Sequence, residues 1–134
     1  MKLVFAILSS IFCFVSATPF AYEGEHLHTS QPHRHMQYAK EKNPIPMDEQ
    51  SVKKGAELYE KHCVACHGKG GKAGGSLDLT KTIFIHGESD GEIFQVITDG
   101  VKEPAMPAYK KELSDEMRWN LVNYIKSLKG QKKD

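Results

Sequence analysis

The stretch Cys63-Val64-Ala65-Cys66-His67 has the pattern Cys-x-x-Cys-His and decides how the rest of the chain is interpreted. In this pattern two thiols can add to the two vinyl groups of one haem, and the adjacent imidazole can reach the iron from the same side. The sequence therefore predicts covalent attachment of one haem c through Cys63 and Cys66, with His67 as an axial ligand of the haem iron.

Two other kinds of site also use closely spaced cysteines. A thioredoxin-like redox pair requires a strand-helix-strand setting, and no strand pattern precedes or follows the two thiols. A structural zinc site requires four ligands, so His62 or His86 would have to join the three residues of the motif. Neither alternative accounts for the rest of the chain, and both stay open at this point.

The second axial ligand of an electron carrier is commonly a methionine thioether, which favours ferrous iron. Met106 lies between Pro104 and Pro107, and prolines lower the entropy that a loop loses when it is held over a ring. Met117 falls on the apolar stripe of a predicted helix, where packing is its ordinary role. The sequence predicts Met106 as the ligand; the alternatives are that it only fills the core, or that His86 or an N-terminal histidine binds instead. Two further methionines lie in a polar segment, Met36 and Met47.

Three helices are predicted from apolar periodicity and capping residues. The first spans about residues 51–61, the second runs from Ser89 to Gly100, and the third runs from Ser114 to Gly130. No strand pattern of any length competes, so an all-α fold is expected. A helical unit this small usually needs a covalent cross-link, or a large prosthetic group that fills its middle, to be stable.

From about residue 51 to residue 129, the sequence resembles the small class I, single-haem c-type cytochromes of bacteria. Besides the Cys-x-x-Cys-His pattern, four segments carry the resemblance: KGAELY at 54–59, AMP at 105–107, LSDE at 113–116 and WNLVNYI at 119–125. It implies the cytochrome c fold, in which three to five short helices surround one covalently bound haem. It also implies that Gly55 and Tyr59 of the first helix meet Leu121 and Tyr124 of the last.

One departure from this family concerns the support of His67. Members usually carry a proline about ten residues after the haem histidine, and a neighbouring carbonyl accepts a hydrogen bond that orients the imidazole. Here residues 74–78 read Gly-Gly-Ser-Leu-Asp, without a proline. Which carbonyl orients His67 is therefore open from the sequence.

The N-terminal segment predicts export. Residues 1–17 carry Lys2 and then an apolar run that is shorter than the ~20 residues of a membrane span, as in a secretory signal peptide. Small residues place the cleavage after Ala17, and a cut after Ala21 is the alternative. The expected location is the periplasm, with membrane association if the segment stays uncleaved.

Residues 18–47 are predicted to form a flexible arm rich in histidine and proline, ahead of a domain at 48–130 and a charged tail at 131–134. Apolar residues in this arm are too sparse to offset the entropy of ordering a packed unit. Four histidines of the arm either bind an additional metal ion or belong to a plain linker: His26, His28, His33 and His35.

The charge balance narrows the function further. With 18 Lys and Arg against 17 Asp and Glu, nucleic-acid binding has no electrostatic support. We expect an electron carrier and not an enzyme, moving one electron between periplasmic redox proteins such as a dehydrogenase, an oxidase or a reductase. The alternatives are a haem c subunit docked in a larger respiratory or dehydrogenase complex, and a haem-based sensor or enzyme with an open sixth position.

Overall fold

A computed structural model describes residues 35–102 and 105–130. Four α-helices follow one another in this part of the chain: α1 Glu49–His62, α2 Val64–His67, α3 Asp90–Asp99 and α4 Asp115–Leu128. Three short 3-10 turns accompany them at Met36–Tyr38, Lys69–Gly71 and Gly75–Leu77. In the described ranges, β-type pairing is limited to one isolated bridge between Val101 and Met106. The predicted all-α fold is confirmed.

The helix ends follow from side chains that satisfy free backbone groups. The Asp48 carboxylate accepts a hydrogen bond from the Ser51 amide at 2.7 Å, which starts α1 two residues before the predicted position. Ser89 and Glu92 form a reciprocal cap at the predicted start of α3, and Gly100 ends that helix with φ 73°. The two later helices therefore lie where the sequence places them.

The contact between α1 and α4 depends on Gly55. A Cβ atom at this position would lie 2.2 Å from the Asn120 carbonyl oxygen and 2.7 Å from the Tyr124 Cβ atom. One turn further along, the rings of Tyr59 and Tyr124 have centroids 5.1 Å apart. The missing side chain lets the two backbones approach closely, as the resemblance implies.

The core surrounds the middle of α4, where Leu121 and Val122 are fully buried and Trp119 stacks on Phe94 with ring centroids 3.9 Å apart. Met117 was expected on the core stripe, but it is 40% exposed, so that expectation is wrong. Helices α1 and α3 both pack on α4, and Arg118 and Trp119 directly after Met117 are buried, so Met117 lies on a side of the first turn that these contacts do not cover.

The segment before α1 is docked on the domain. Asn43 Nδ2 donates to the Trp119 carbonyl at 2.9 Å and to Asn123 Oδ1 at 2.8 Å, and the Asn43 amide donates to Asp90 at 3.0 Å. The prediction of a flexible arm as far as residue 47 does not hold for this part. These docking contacts come from an asparagine side chain, so a search for apolar periodicity does not predict them.

Several predicted segments lie outside the described residues. These are the signal peptide at 1–17, the arm as far as residue 34 with three of its four histidines, and the tail at 131–134. Within the described ranges, no helix combines the length and the apolar character that crossing a bilayer requires.

Candidate functional site

One cavity brings together the four site residues that the sequence predicts. Cys63, Cys66, His67 and Met106 all line it. Most of the remaining wall is apolar, with contributions from Leu79, Phe84, Ile93, Ile97 and Ile125. Residues of all four helices and of the segments that follow α2 and α3 thus line one space, with sulfur and imidazole donors on a largely apolar wall.

The two cysteines are held by a single helical turn. The Cys63 amide donates to the Tyr59 carbonyl at 2.9 Å at the end of α1, and the His67 amide donates back to the Cys63 carbonyl at 2.9 Å in α2. Both thiols are free, with Cys63 partly buried and Cys66 exposed. Burial, and then the charge of Cys66, raises the pKa of Cys63 to about 11, so this thiol stays protonated at neutral pH. In the part of the chain that the structure describes, helices and 3-10 turns but no strand flank the two thiols, which disfavours the thioredoxin-like alternative.

His67 is oriented by a backbone carbonyl. Its Nδ1 atom lies 2.8 Å from the Leu77 oxygen, and because a carbonyl only accepts, the ring donates from Nδ1. Nε2 then carries the lone pair that a metal ion requires. The chain reaches this geometry without the family's proline, since Gly74 and Gly75 adopt φ of 82° and 58° ahead of Leu77.

An aspartate-based turn fixes the same loop on its other side. The buried Asp78 carboxylate accepts hydrogen bonds from the Thr80 amide at 2.9 Å and from the Thr80 hydroxyl at 2.6 Å. The Leu79 amide donates to the Gly71 carbonyl at 2.9 Å. These bonds follow Leu77 directly, so its carbonyl is held from both sides.

Met106 is held by its own backbone. Its amide donates to the Val101 carbonyl at 2.8 Å and its carbonyl accepts from the Val101 amide at 2.9 Å. Gly100 allows this close pairing, because a Cβ atom there would lie 2.3 Å from the Met106 oxygen. Pro107 follows immediately, whereas Pro104 lies outside the described residues. The sequence predicts Gly100 only as the end of the second helix.

The other candidate ligands differ in position. His86 lines the same cavity and so stays an alternative to Met106. Of the four methionines in the described residues, Met106 alone lines it, and the others are exposed by 40% to 67%. In residues 35–102 and 105–130, no three His, Cys, Asp or Glu side chains are grouped as metal ligands.

Two tyrosines brace the motif, and the sequence pattern did not assign either of them to the site. Tyr59 donates from its hydroxyl to the Gly68 carbonyl at 2.8 Å, beside His67, and burial raises its pKa. Tyr109 donates to the His62 carbonyl at 2.8 Å, beside Cys63. Tyrosine donors to backbone carbonyls have no sequence spacing of their own, so only the fold reveals them.

The residues present fit a covalently held haem. Two free thiols on one turn match its two vinyl groups, and the oriented imidazole and the thioether on the same cavity are donors that would suit its iron. Together, the all-α fold and this donor set define a c-type cytochrome domain with haem c as its cofactor.

Residues 50–125 match the family described as Cytochrome C oxidase, cbb3-type, subunit III. The match covers more than half of the chain, and the chain belongs to this family.

The chain is also similar to curated proteins named cbb3-type cytochrome c oxidase subunit FixP or CcoP. It is 38% identical to FixP of Azorhizobium caulinodans over 88 residues, which cover 63% of this chain and 30% of that protein. It is 33% identical to FixP of Bradyrhizobium diazoefficiens over 82 residues, or 59% of this chain and 28% of that protein. With CcoP of Azospirillum brasilense the identity is 27% over 125 residues, or 88% of this chain and 42% of that protein. The chain thus spans less than half the length of each of these relatives.

Proposed function

We propose that this chain is a one-electron transfer module of a respiratory oxidase, in which Cys63 and Cys66 hold haem c and His67 and Met106 are its axial ligands. The observation that carries the proposal is the single apolar cavity lined by all four residues, with His67 already oriented by the Leu77 carbonyl. Among the described residues, His62 and His86 are the other imidazoles on this wall, and the Cys-x-x-Cys-His spacing and the proline next to Met106 favour His67 and Met106 over them.

The chain's own residues suit electron transfer for a physical reason. Bound haem c supplies a ferric and ferrous couple that gains or loses one electron without exchanging atoms. His67 is fixed by its hydrogen bond and Met106 by its backbone pair, so both ligands keep their places when the charge changes. The apolar wall excludes water that would otherwise reorient at each step.

The partner is proposed from the relatives. They are named as subunits of cbb3-type cytochrome c oxidases, so we assign this chain to the same kind of complex, as a haem c subunit that passes electrons towards the oxygen-reducing centre. A freely diffusing carrier between periplasmic proteins is the competing assignment. The periplasmic side of the membrane is the proposed location in both cases, on the basis of the apolar run in residues 1–17.

The test is co-purification from the cells that make the protein. A C-terminally tagged chain is isolated from membranes in mild detergent, and from the soluble fraction separately. We expect the membrane fraction to contain an oxidase with a fixed ratio to the tagged chain, with oxygen consumption from a reduced electron donor that stops when His67→Ala replaces the parent. If the tagged chain is recovered only from the soluble fraction, alone and still redox active, it is a diffusing carrier.

Acidified acetone should leave the haem on the protein, and extraction would contradict attachment through Cys63 and Cys66.

A further inference from the structure

Tyr109 lies three residues after Met106 and joins the loop of Met106 to the end of α1. The side chain is 9% exposed, and its hydroxyl donates to the His62 carbonyl at 2.8 Å. Its ring meets the His62 ring edge-on, with centroids 5.9 Å apart and planes at 77°. His62 directly precedes Cys63, so this contact links the two chain segments that hold the proposed cofactor.

The backbone of Tyr109 makes a second junction. Its amide donates to the Ile97 carbonyl of α3 at 3.0 Å, and its carbonyl accepts from the Leu113 amide at 2.8 Å. One residue therefore connects α1, α3 and the loop that leads into α4. Residues 105–109 are thus tied at one end by the Val101 and Met106 pair and at the other end by Tyr109.

We infer that Tyr109 is a positioning residue that keeps Met106 in the cavity. This inference rests on the proposed function, since it takes Met106 as the axial ligand. Residues 105–109 carry Met106 and end at Tyr109, so withdrawing Met106 from the cavity would pull on this segment and break the hydroxyl bond to His62. Breaking a bond from a buried hydroxyl leaves the donor unsatisfied, so the loop is held closed.

Two further observations agree with this role. Burial raises the pKa of Tyr109, so the hydroxyl keeps the proton that it donates. His62 Nδ1 also lies 3.3 Å from Glu112 Oε1, a second contact across the same junction. Glu112 is 60% exposed, and water screens this pair, so the tyrosine carries the larger part.

The test compares Tyr109→Phe with Tyr59→Phe in the haem-loaded protein. Each variant loses one buried hydroxyl that donates to a carbonyl at 2.8 Å, but Tyr59 donates to Gly68 on the His67 side. Imidazole added to the ferric protein competes with Met106 for the sixth position. Its apparent affinity therefore reports the fraction of molecules in which the loop is open.

We expect Tyr109→Phe to raise the apparent imidazole affinity by about two- to tenfold, the effect of one lost hydrogen bond on the opening equilibrium. Tyr59→Phe should change the apparent imidazole affinity less than twofold, while lowering the resistance to guanidinium unfolding about as much as Tyr109→Phe does. Equal affinities for Tyr109→Phe and the parent, or equal increases in both variants, would overturn the inference. If the parent itself lacks the far-red sulfur-to-iron absorption, Met106 is not the ligand, and the proposed ligand set fails instead.

Discussion

The Nδ1 atom of His67 lies 2.8 Å from the carbonyl oxygen of Leu77, in a loop that reaches this geometry through glycines and not through a proline. Gly75, two residues before Leu77, has φ 58° and no atom within 4 Å of the place where a Cβ would be. The orientation of the imidazole thus depends on a backbone conformation that other residues adopt reluctantly.

Gly75→Ala should disturb His67 through the backbone alone. We expect a stability loss of about 1 kcal/mol, because alanine is strained in the left-handed backbone conformation. We also expect a higher reduction potential, because a weaker hydrogen bond to Leu77 makes the imidazole less basic, and a less basic ligand stabilises ferric iron less. Gly130→Ala is the matched control, since Gly130 has φ 75° and equally open surroundings but lies beyond α4. Potentiometry and guanidinium unfolding measure the two effects. A potential that shifts equally in both variants would show that Leu77 does not tune His67.

Asn43→Ala should destabilise the domain, although Asn43 precedes every helix that the sequence predicts. The substitution removes the donor to the Trp119 carbonyl and to Asn123 Oδ1 and also the acceptor of the Ile45 amide, which costs about 1–3 kcal/mol. Guanidinium unfolding followed by the fluorescence of the single tryptophan, Trp119, measures the loss. Gln37→Ala, at an exposed position of the same segment, should change stability by less than about 0.5 kcal/mol. Equal effects of the two variants would mean that the segment is not docked.

Asp90 should make the stability depend on pH. Burial raises its pKa, but hydrogen bonds from the Asn43 amide and the Lys126 ammonium outweigh burial and hold the pKa below the ordinary value of 3.8. A carboxyl group whose pKa is lower in the folded state stabilises the fold fully above its unfolded pKa, and this stabilisation disappears as the pH falls through its folded pKa. Asp90→Asn should therefore lower the free energy of unfolding most at neutral pH, and the difference from the parent should shrink as the pH falls below about 4.

Unfolding curves of the parent and Asp90→Asn from pH 7 downwards would show this convergence. Asp99→Asn is the control, because Asp99 pairs with Lys110 at the surface, where water screens the contact. A deficit of Asp90→Asn that stays constant across the range would contradict the role of its charge.

The sequence predicts the parts of this fold that leave a local pattern. Ser89, Glu92 and Gly100 mark both ends of α3 because capping depends on residues that are near neighbours in the chain. Gly55 marks the contact of α1 with α4 through the family resemblance, and the structure shows the close approach. Cys63, Cys66, His67 and Met106 line one cavity, as their proposed common role requires.

The parts that the sequence does not predict depend on contacts between distant segments. Asn43 meets Asn123 across 80 residues, and neither side chain belongs to an apolar period. Leu77 acts through its backbone carbonyl group, which every residue has, so its residue type does not indicate this role. The apolar period predicts Met117 in the core, but which side of each turn of α4 is covered is decided by α1 and α3.

The far-red absorption of the ferric protein tests Met106 as the sixth ligand most directly. Met106→Ala removes the thioether while Cys63 and Cys66 retain the haem, and Met117→Ala is the control because Met117 lies away from the cavity. We predict that the parent and Met117→Ala show the sulfur-to-iron band and resist carbon monoxide when reduced, whereas Met106→Ala loses the band, binds carbon monoxide readily and has a lower potential. A parent that lacks the band and binds carbon monoxide quickly, with no change in Met106→Ala, would contradict the ligand assignment and favour a sensor or an enzyme.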